Sequence, residues 1–287
     1  MTALLTPPAA PASGRSRGRP RGALAVAAVA FIGAWVLVAA FAPFVSPHDP
    51  QSVDLGAAYT GSSGTHLLGA DASGRDILSR LVWGARSALL GPLVVVVLAG
   101  TVAISVAVSA ALLRGWFDVV ASRLLDVVFA FPGILLALVG VAIFGSGLGS
   151  AVGALSVAYV PYIARVVRGD ALRQTSQPYV QAGRLNGLSS LALAWRHLIP
   201  NLLPLIVGQL TLSFGYAMVD LAAISFLGLG VQAPGSDWGL MVQEGQASII
   251  RGYPQESLYA GILIILMVMS FTIVGDRVIT AYESRAR

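Results

Sequence analysis

The sequence predicts an all-α membrane protein with six transmembrane helices and both termini in the cytoplasm. Three observations carry this expectation. Of the 287 residues, 56% are apolar and only 11% charged, whereas soluble domains run near ~25% charged. Uncharged stretches long enough to cross a hydrocarbon core of ~30 Å recur along the chain. All eighteen basic residues are arginines, and they sit beside apolar runs, not among aromatics on a polar surface. That placement assigns the net charge of +5 to membrane topology and not to nucleic acid.

The elements follow in order. Residues 1–22 are mostly Pro, Ala, Gly, Ser and Arg without apolar periodicity, which reads as a disordered cytoplasmic tail. The first span runs from Ala23 to Val45. A cleaved signal peptide competes, with Arg15 to Arg21 as its basic region and Ala40-Phe41-Ala42 as its cleavage site, but the apolar run exceeds the usual ~7–15 residues. Residues 23–84 hold this span and an extracytoplasmic loop. The five-helix core, 85–280, opens with an uncharged run between Arg86 and Arg114. The next run, Val127 to Ala164, would make about 57 Å of helix at ~1.5 Å per residue. GSGLGS at Gly145–Ser150 therefore breaks it into two spans in a tight hairpin. The fifth span covers Pro204–Leu227, the sixth Ser257–Gly275, and residues 281–287 form a short cytoplasmic tail. With the N-terminus inside, fourteen arginines fall inside and only Arg75, Arg80, Arg86 and Arg251 outside.

Composition excludes much chemistry. There is no lysine for a P-loop or a Schiff base, and no cysteine for thiolate catalysis, disulfides or thiolate metal sites. The three histidines, His48, His66 and His197, are far apart and lack metal-ligand spacing. His66 with Asp71 supplies two ligands where a metal site needs three or four, so no metal site is expected.

The stretch QAGRLNGLSSLALAWRHLIPN, Gln181–Asn201, is too polar to cross a bilayer. Leu185, Leu188, Leu191, Ala192 and Trp195 recur at helical steps, which predicts one helix. Ala182, Gly183 and Gly187 would give it a low-bulk face that another surface can approach. Pro200 should stop this helix, and Pro204 should sit in the first turn of the next span. The arginine count places the segment in the cytoplasm.

Here the residues resemble a family. Bacterial ABC-importer permeases carry a cytoplasmic loop written Glu-Ala-Ala, three residues, Gly, nine residues, then a block ending in Pro. This chain has Gln181-Ala182-Gly183, Gly187 and His197-Leu198-Ile199-Pro200 at that spacing. Gln replaces the Glu and Gly the second Ala, which puts a salt bridge from the first position in doubt. HLLGADASGRDILSRLVWGARSALL (66–90), LLDVVFAFPGILLAL (124–138), YVPYIARVVRGDAL (159–172) and ISFLGLGVQAPGSDWGLMVQEG (224–245) are similar to the C-type subunit of dipeptide, oligopeptide and nickel permeases. The likeness covers about residues 24–282. It implies a type I ABC-importer fold in a bacterial cytoplasmic membrane, a second permease subunit, two ABC ATPase subunits and an extracytoplasmic binding protein. It implies that ATP and magnesium are bound by the ATPase subunits, with no cofactor held by this one. It also marks Tyr179, Gln181, Ala182, Gly183, Gly187, His197, Pro200 and Asn201, within a loop of about 166–201, as the ATPase-coupling surface.

Two further places hold candidates. In the outer loop, Ser73-Gly74-Arg75-Asp76 reads as a capping box that opens an amphipathic helix lying in the outer interface, with Ile77, Leu78, Leu81, Val82 and Ala85 on its apolar face and Arg80 elsewhere. The sharper reading makes Asp71, Gly74, Arg75 and Asp76 an outer-gate element. Asp220 is the one acid well inside an apolar run, ~24 Å along a helix counted from Pro204. It either pairs structurally or faces a transport pathway. The resulting expectation is a permease subunit of an ATP-driven importer of peptides or a related small solute. A proton-coupled secondary carrier using Asp220 is the alternative. An intramembrane enzyme or receptor lacks any paired acid–base or metal-ligand constellation in the spans.

Overall fold

The computed structural model describes residues 21–285. The expected disordered tail lies outside that range apart from its last two positions. Helix α1 (Arg21–Ala40) is followed by a single turn, α2 (Ala42–Val45), and by a loop containing one 3-10 turn at Leu55–Ala57. Then come α3 (Ile77–Leu113), α4 (Gly115–Phe129), α5 (Gly133–Phe144) and α6 (Leu148–Thr175). Two short helices, α7 (Pro178–Leu185) and α8 (Ser190–Leu193), lead through a wide π turn at Ala194–Leu198 into α9 (Ile199–Phe226). The chain closes with α10 (Trp238–Glu244), α11 (Gln246–Ile250) and α12 (Gln255–Arg285). Among the described residues the sole β pairing is the isolated bridge of Ala70 with Asp76.

Among the described residues five helices are long and apolar enough to cross a membrane, and counting α4 with α5, bent by 82°, as one broken span gives six. The expected hairpin is present, with Gly145–Gly147 between α5 and α6. The run beginning at Val127 is nevertheless not one helix up to that hairpin. Pro132 pushes the residue before it away from helical geometry and donates no hydrogen bond, so the chain turns at 130–132.

The outer helix departs from expectation. Ile77–Ala85 is no separate interfacial helix but the first turns of α3, which runs 37 residues. Its cap is Asp76, not Ser73: the Asp76 carboxylate accepts the Ser79 amide at 2.8 Å. Arg80 is fully buried together with Leu81, Val82 and Ala85, so both sides of these turns face protein. Burial of an arginine requires compensating acids, and the fold supplies them from α10 and α12.

α3 packs most extensively against α6, and α9 against α12. Lipid tails are as apolar as leucine, so burial from water does not drive helices together in a bilayer; close packing does. α3 presents Ala85, Ala99, Ala103, Ala107 and Ala111, each with no exposed surface, and such small side chains let backbones approach. α1 lies at the periphery with Leu24, Val26, Val29 and Leu37 exposed. It is tied in by Trp35, which meets Trp238 edge-on at 5.3 Å, while the Trp238 indole donates to the Leu81 carbonyl at 2.9 Å.

Candidate functional site

The Gln181–Asn201 segment is a helix–turn–helix, not one helix. After α7 the Leu188 amide donates to the Gly183 carbonyl and the Gly187 amide to that of Arg184, both at 3.0 Å. This is a Schellman end, and it requires Gly187 in the left-handed region at φ +76°. A Cβ added there would meet nothing within 4 Å, so backbone conformation, not crowding, selects glycine. Ser189 then caps α8 by accepting the Ala192 amide at 3.2 Å. The leucine periodicity ran across this turn because both short helices keep an apolar side. Their outward residues are Leu185, Leu191 and Trp195, at 89%, 69% and 66% exposure.

The low-bulk face is likewise divided. Ala182 and Gly187 are exposed, but Gly183 is buried, with Leu188 and Leu193 against it. Gly183 thus closes the helix–turn–helix upon itself. Pro200 does not stop the helix. The π turn before it relieves the clash of its ring with the carbonyl four residues back, and the Asn201 side chain donates Nδ2–H to the His197 carbonyl at 2.6 Å. α9 therefore continues from the loop without interruption, through Pro204.

The segment is fastened at its base. Gln181 Nε2 donates to the Thr175 carbonyl at 3.0 Å, and the Tyr179 hydroxyl to Gln174 Oε1 at 2.6 Å. Thr175 also accepts from Arg114 at the end of α3, at 3.0 Å. The Tyr282 hydroxyl of α12 donates to Asp170 at 2.7 Å and accepts from Gln174 at 3.3 Å. His197 lies beside Tyr179, ring centroids 6.2 Å apart. The end of α6 thereby joins this segment to the ends of α3 and α12, and α9 continues from the segment.

Asp220 faces a cavity of about 720 Å³ where the α4–α5 bend meets α6 and α9. Its carboxylate accepts the Tyr159 hydroxyl at 2.8 Å. Phe129, Phe131, Tyr162 and Tyr216 complete an aromatic wall. Sequence reasoning located the acid but not the tyrosines, which come from other helices. Asp126 and Arg165 form an exposed pair at 3.0 Å.

At the start of α3 the residues named as an outer-gate element lie in and beside a buried ion network. Asp71 accepts from Arg75 Nε at 2.6 Å and from Arg80 Nη1 at 2.8 Å. Glu244 takes Arg75 at 2.9 Å and Arg80 at 2.5 Å, while Glu256 also pairs with Arg80. Asp71 therefore meets Arg75 and Arg80, and the residue that meets His66 is Asp76, at 3.0 Å. Gly74 at φ +76° is obligatory, since a Cβ would lie 1.6 Å from the Asp54 carbonyl oxygen. Burial acts to raise the Asp76 carboxyl, but hydrogen bonds from the Ser79 hydroxyl and amide and from His66 outweigh it and hold it below its ordinary range. Arg80, Glu244, Glu256 and His48 were not legible in the sequence; Glu256 lies 176 positions from Arg80, and no local spacing announces such a pair.

A bundle of apolar spans, with an acid-bearing aromatic cavity between its helices and a protruding helical segment joined to the end of α6, defines a subunit for moving solutes across a membrane. The chain belongs to the family of binding-protein-dependent transport system inner membrane components, whose model matches residues 101–287. Glutathione transport system permease proteins GsiD of Escherichia coli and Pectobacterium atrosepticum are each 33% identical over 265 residues, 92% of this chain; the alignments cover 87% and 88% of those proteins. A chain of the inward-facing MetNI methionine ABC transporter superposes with a TM-score of 0.59 at 21% identity, covering 72% of this chain and 97% of that one. The fold is thus that of a type I ABC-importer permease in a bacterial inner membrane. Such a permease works within a larger assembly, which in this family includes a further permease, ATPases and a binding protein. A binding-protein-dependent system is not a self-contained carrier, and the proton-coupled reading of Asp220 falls with it.

Proposed function

We propose that this permease takes up a peptide-like solute and is driven by ATPase subunits docked on residues 178–201. The carrying observation is the exposed trio Leu185, Leu191 and Trp195 on a segment hydrogen-bonded to the end of α6, to which α3 and α12 are bonded in turn. Large apolar side chains held out on a rigid base form a docking patch, not a connector. The segment lies on the cytoplasmic side, as the arginine distribution favours, with both termini on that side. Two ABC ATPases bind ATP and magnesium there, this chain binds neither, and a second permease subunit, a different chain, completes the translocation path. The extracytoplasmic binding protein delivers cargo at the opposite end, near Asp71, Gly74, Arg75 and Asp76.

The relatives named for glutathione transport support a small peptide as cargo. The Asp220 cavity suits a solute with an ammonium group and an apolar body: a carboxylate attracts the cation, and tyrosine and phenylalanine faces accept both parts. The docking proposal is tested by Leu185→Ala combined with Trp195→Ala. Loss of two central interface anchors costs about 2 kcal/mol or more each, so ATPase subunits should no longer co-purify while permease abundance in the membrane stays normal. Unchanged ATPase recovery would place the docking surface elsewhere.

A further inference from the structure

His48 and His66 are two of only three histidines in the chain, yet their rings lie 5.1 Å apart, centroid to centroid. Asp76 stands between them. From these positions we infer a binding site for a first-row divalent transition metal, of the zinc class, formed by His48, His66 and Asp76. One ligand atom from each residue can be chosen so that all three lie within 4.8 Å of one another. His66 Nδ1 is 3.0 Å from Asp76 Oδ1, and His48 Nδ1 is 3.9 Å from Asp76 Oδ2. Ligand atoms around a tetrahedral ion with bonds of ~2.1 Å sit about 3.4 Å apart, and the two separations bracket that value.

The three residues are held in place by other contacts. The His48 amide donates to Ser79 Oγ at 3.0 Å, and that hydroxyl donates to Asp76 Oδ2 at 2.6 Å. The His66 amide donates to Ser63 Oγ at 3.0 Å, and the His66 carbonyl accepts the Ser63 amide at 2.8 Å and the Gly69 amide at 3.0 Å. The His48 imidazole has no hydrogen-bond partner among the described residues, since 3.9 Å to Asp76 is too long for one. A purely structural cap needs Asp76, Ser79 and His66; it gives no reason to bring a second imidazole to the same carboxylate.

The donor set selects the ligand. Two imidazoles and one carboxylate suit zinc and its neighbours, whereas magnesium and calcium want oxygen. Three protein ligands leave one coordination position, and it opens into a cavity of about 550 Å³ lined also by Asp49, Asp54 and Thr65. A bound ion would join the turn after α2, the loop through His66 and the cap of α3. The inference stands apart from the transport reading, because it depends on no partner subunit and no cargo.

The test uses the full chain, purified without a polyhistidine tag in detergent or nanodiscs, and titrated with zinc by calorimetry. The absence of cysteine removes the commonest competing ligand. The expected result is one zinc per chain, undisturbed by excess magnesium, with affinity lowered about tenfold or more in His48→Ala and in His66→Ala. His197→Ala should bind as the unaltered chain does. Cobalt in place of zinc should give the intense visible absorption of a four-coordinate site, lost in the same two variants. Both histidines lie in the loop outside the core, and a thermal melt verifies that the variants fold. Absence of stoichiometric binding, equal binding by His48→Ala, or loss of binding in His197→Ala would each overturn the assignment.

Discussion

Replacing Gly187 separates two roles that one glycine can have in a docking segment. Its φ of +76° lies in the left-handed region, and space around a new Cβ is open. An L-residue with a Cβ pays about 1–2 kcal/mol to stand there, whereas asparagine adopts it readily. In the free permease Gly187→Ala and Gly187→Leu should therefore cost the same, since nothing surrounds the side chain. That cost amounts to about a 5–30-fold drop in the population of the closed turn. Gly187→Asn should stay near the unaltered protein. Hydrogen exchange at the Leu188 amide, which donates to Gly183 across the turn, reads this directly. ATPase co-purification reads the second role: if Gly187 lies under the docked subunit, leucine adds an overpacking penalty of about 1–3 kcal/mol that alanine does not. The expected order of ATPase recovery is Gly, Asn, Ala, then Leu well below. Equal exchange at Leu188 in the Gly187→Ala and unaltered chains would refute the strain argument. Equal ATPase recovery for Gly187→Ala and Gly187→Leu would refute contact at this position.

Arg80→Met removes the common partner of Asp71, Glu244 and Glu256; Arg75 still faces the first two, but the buried Glu256 carboxylate is left without a cation, a loss of about 3–5 kcal/mol. It should appear as a marked fall in the temperature at which the detergent-solubilised chain aggregates; an unchanged transition would mean that the network contributes no stability. Asp220→Asn should lower uptake of a cationic peptide while ATPase recovery stays normal, and Tyr159→Phe, which removes the hydroxyl that the carboxylate accepts, should lower it less. Normal uptake by Asp220→Asn would take this carboxylate out of the pathway.

The spans were legible because crossing a bilayer is a local property: length and apolarity of one stretch suffice, and the hairpin glycines are equally local. The Gln181–Asn201 segment was legible as a motif but not in shape. Leu185, Leu188 and Leu191 keep helical spacing on both sides of a turn, and only Gly187 two residues past the end of α7 signals the break; a glycine just beyond a helix end is the known mark of a left-handed cap. At the outer end of α3 the reading failed for a different reason. Helical spacing alone puts Arg80 on the polar side of an interfacial helix, because two of its three acids lie on α10 and α12, far along the chain. His48 met His66 by the same long-range folding, which no spacing rule reports.

Helix α6 carries the Gln181-bonded end, Thr175, and the cavity residues Tyr159 and Tyr162, with Pro161 between those tyrosines. A proline inside a helix lacks one backbone hydrogen bond and bends more easily there than elsewhere. The fourteen residues from Pro161 to Thr175 make an arm of about 21 Å at ~1.5 Å per residue. Rotation of that arm by about 10° around Pro161 would displace Thr175 by about 4 Å, some two-thirds of the ~5.4 Å pitch of a helical turn. The pivot itself would scarcely translate. Motion imposed at the docking end would thus arrive at the cavity as a change of tilt in its aromatic wall, a gear that trades travel for angle.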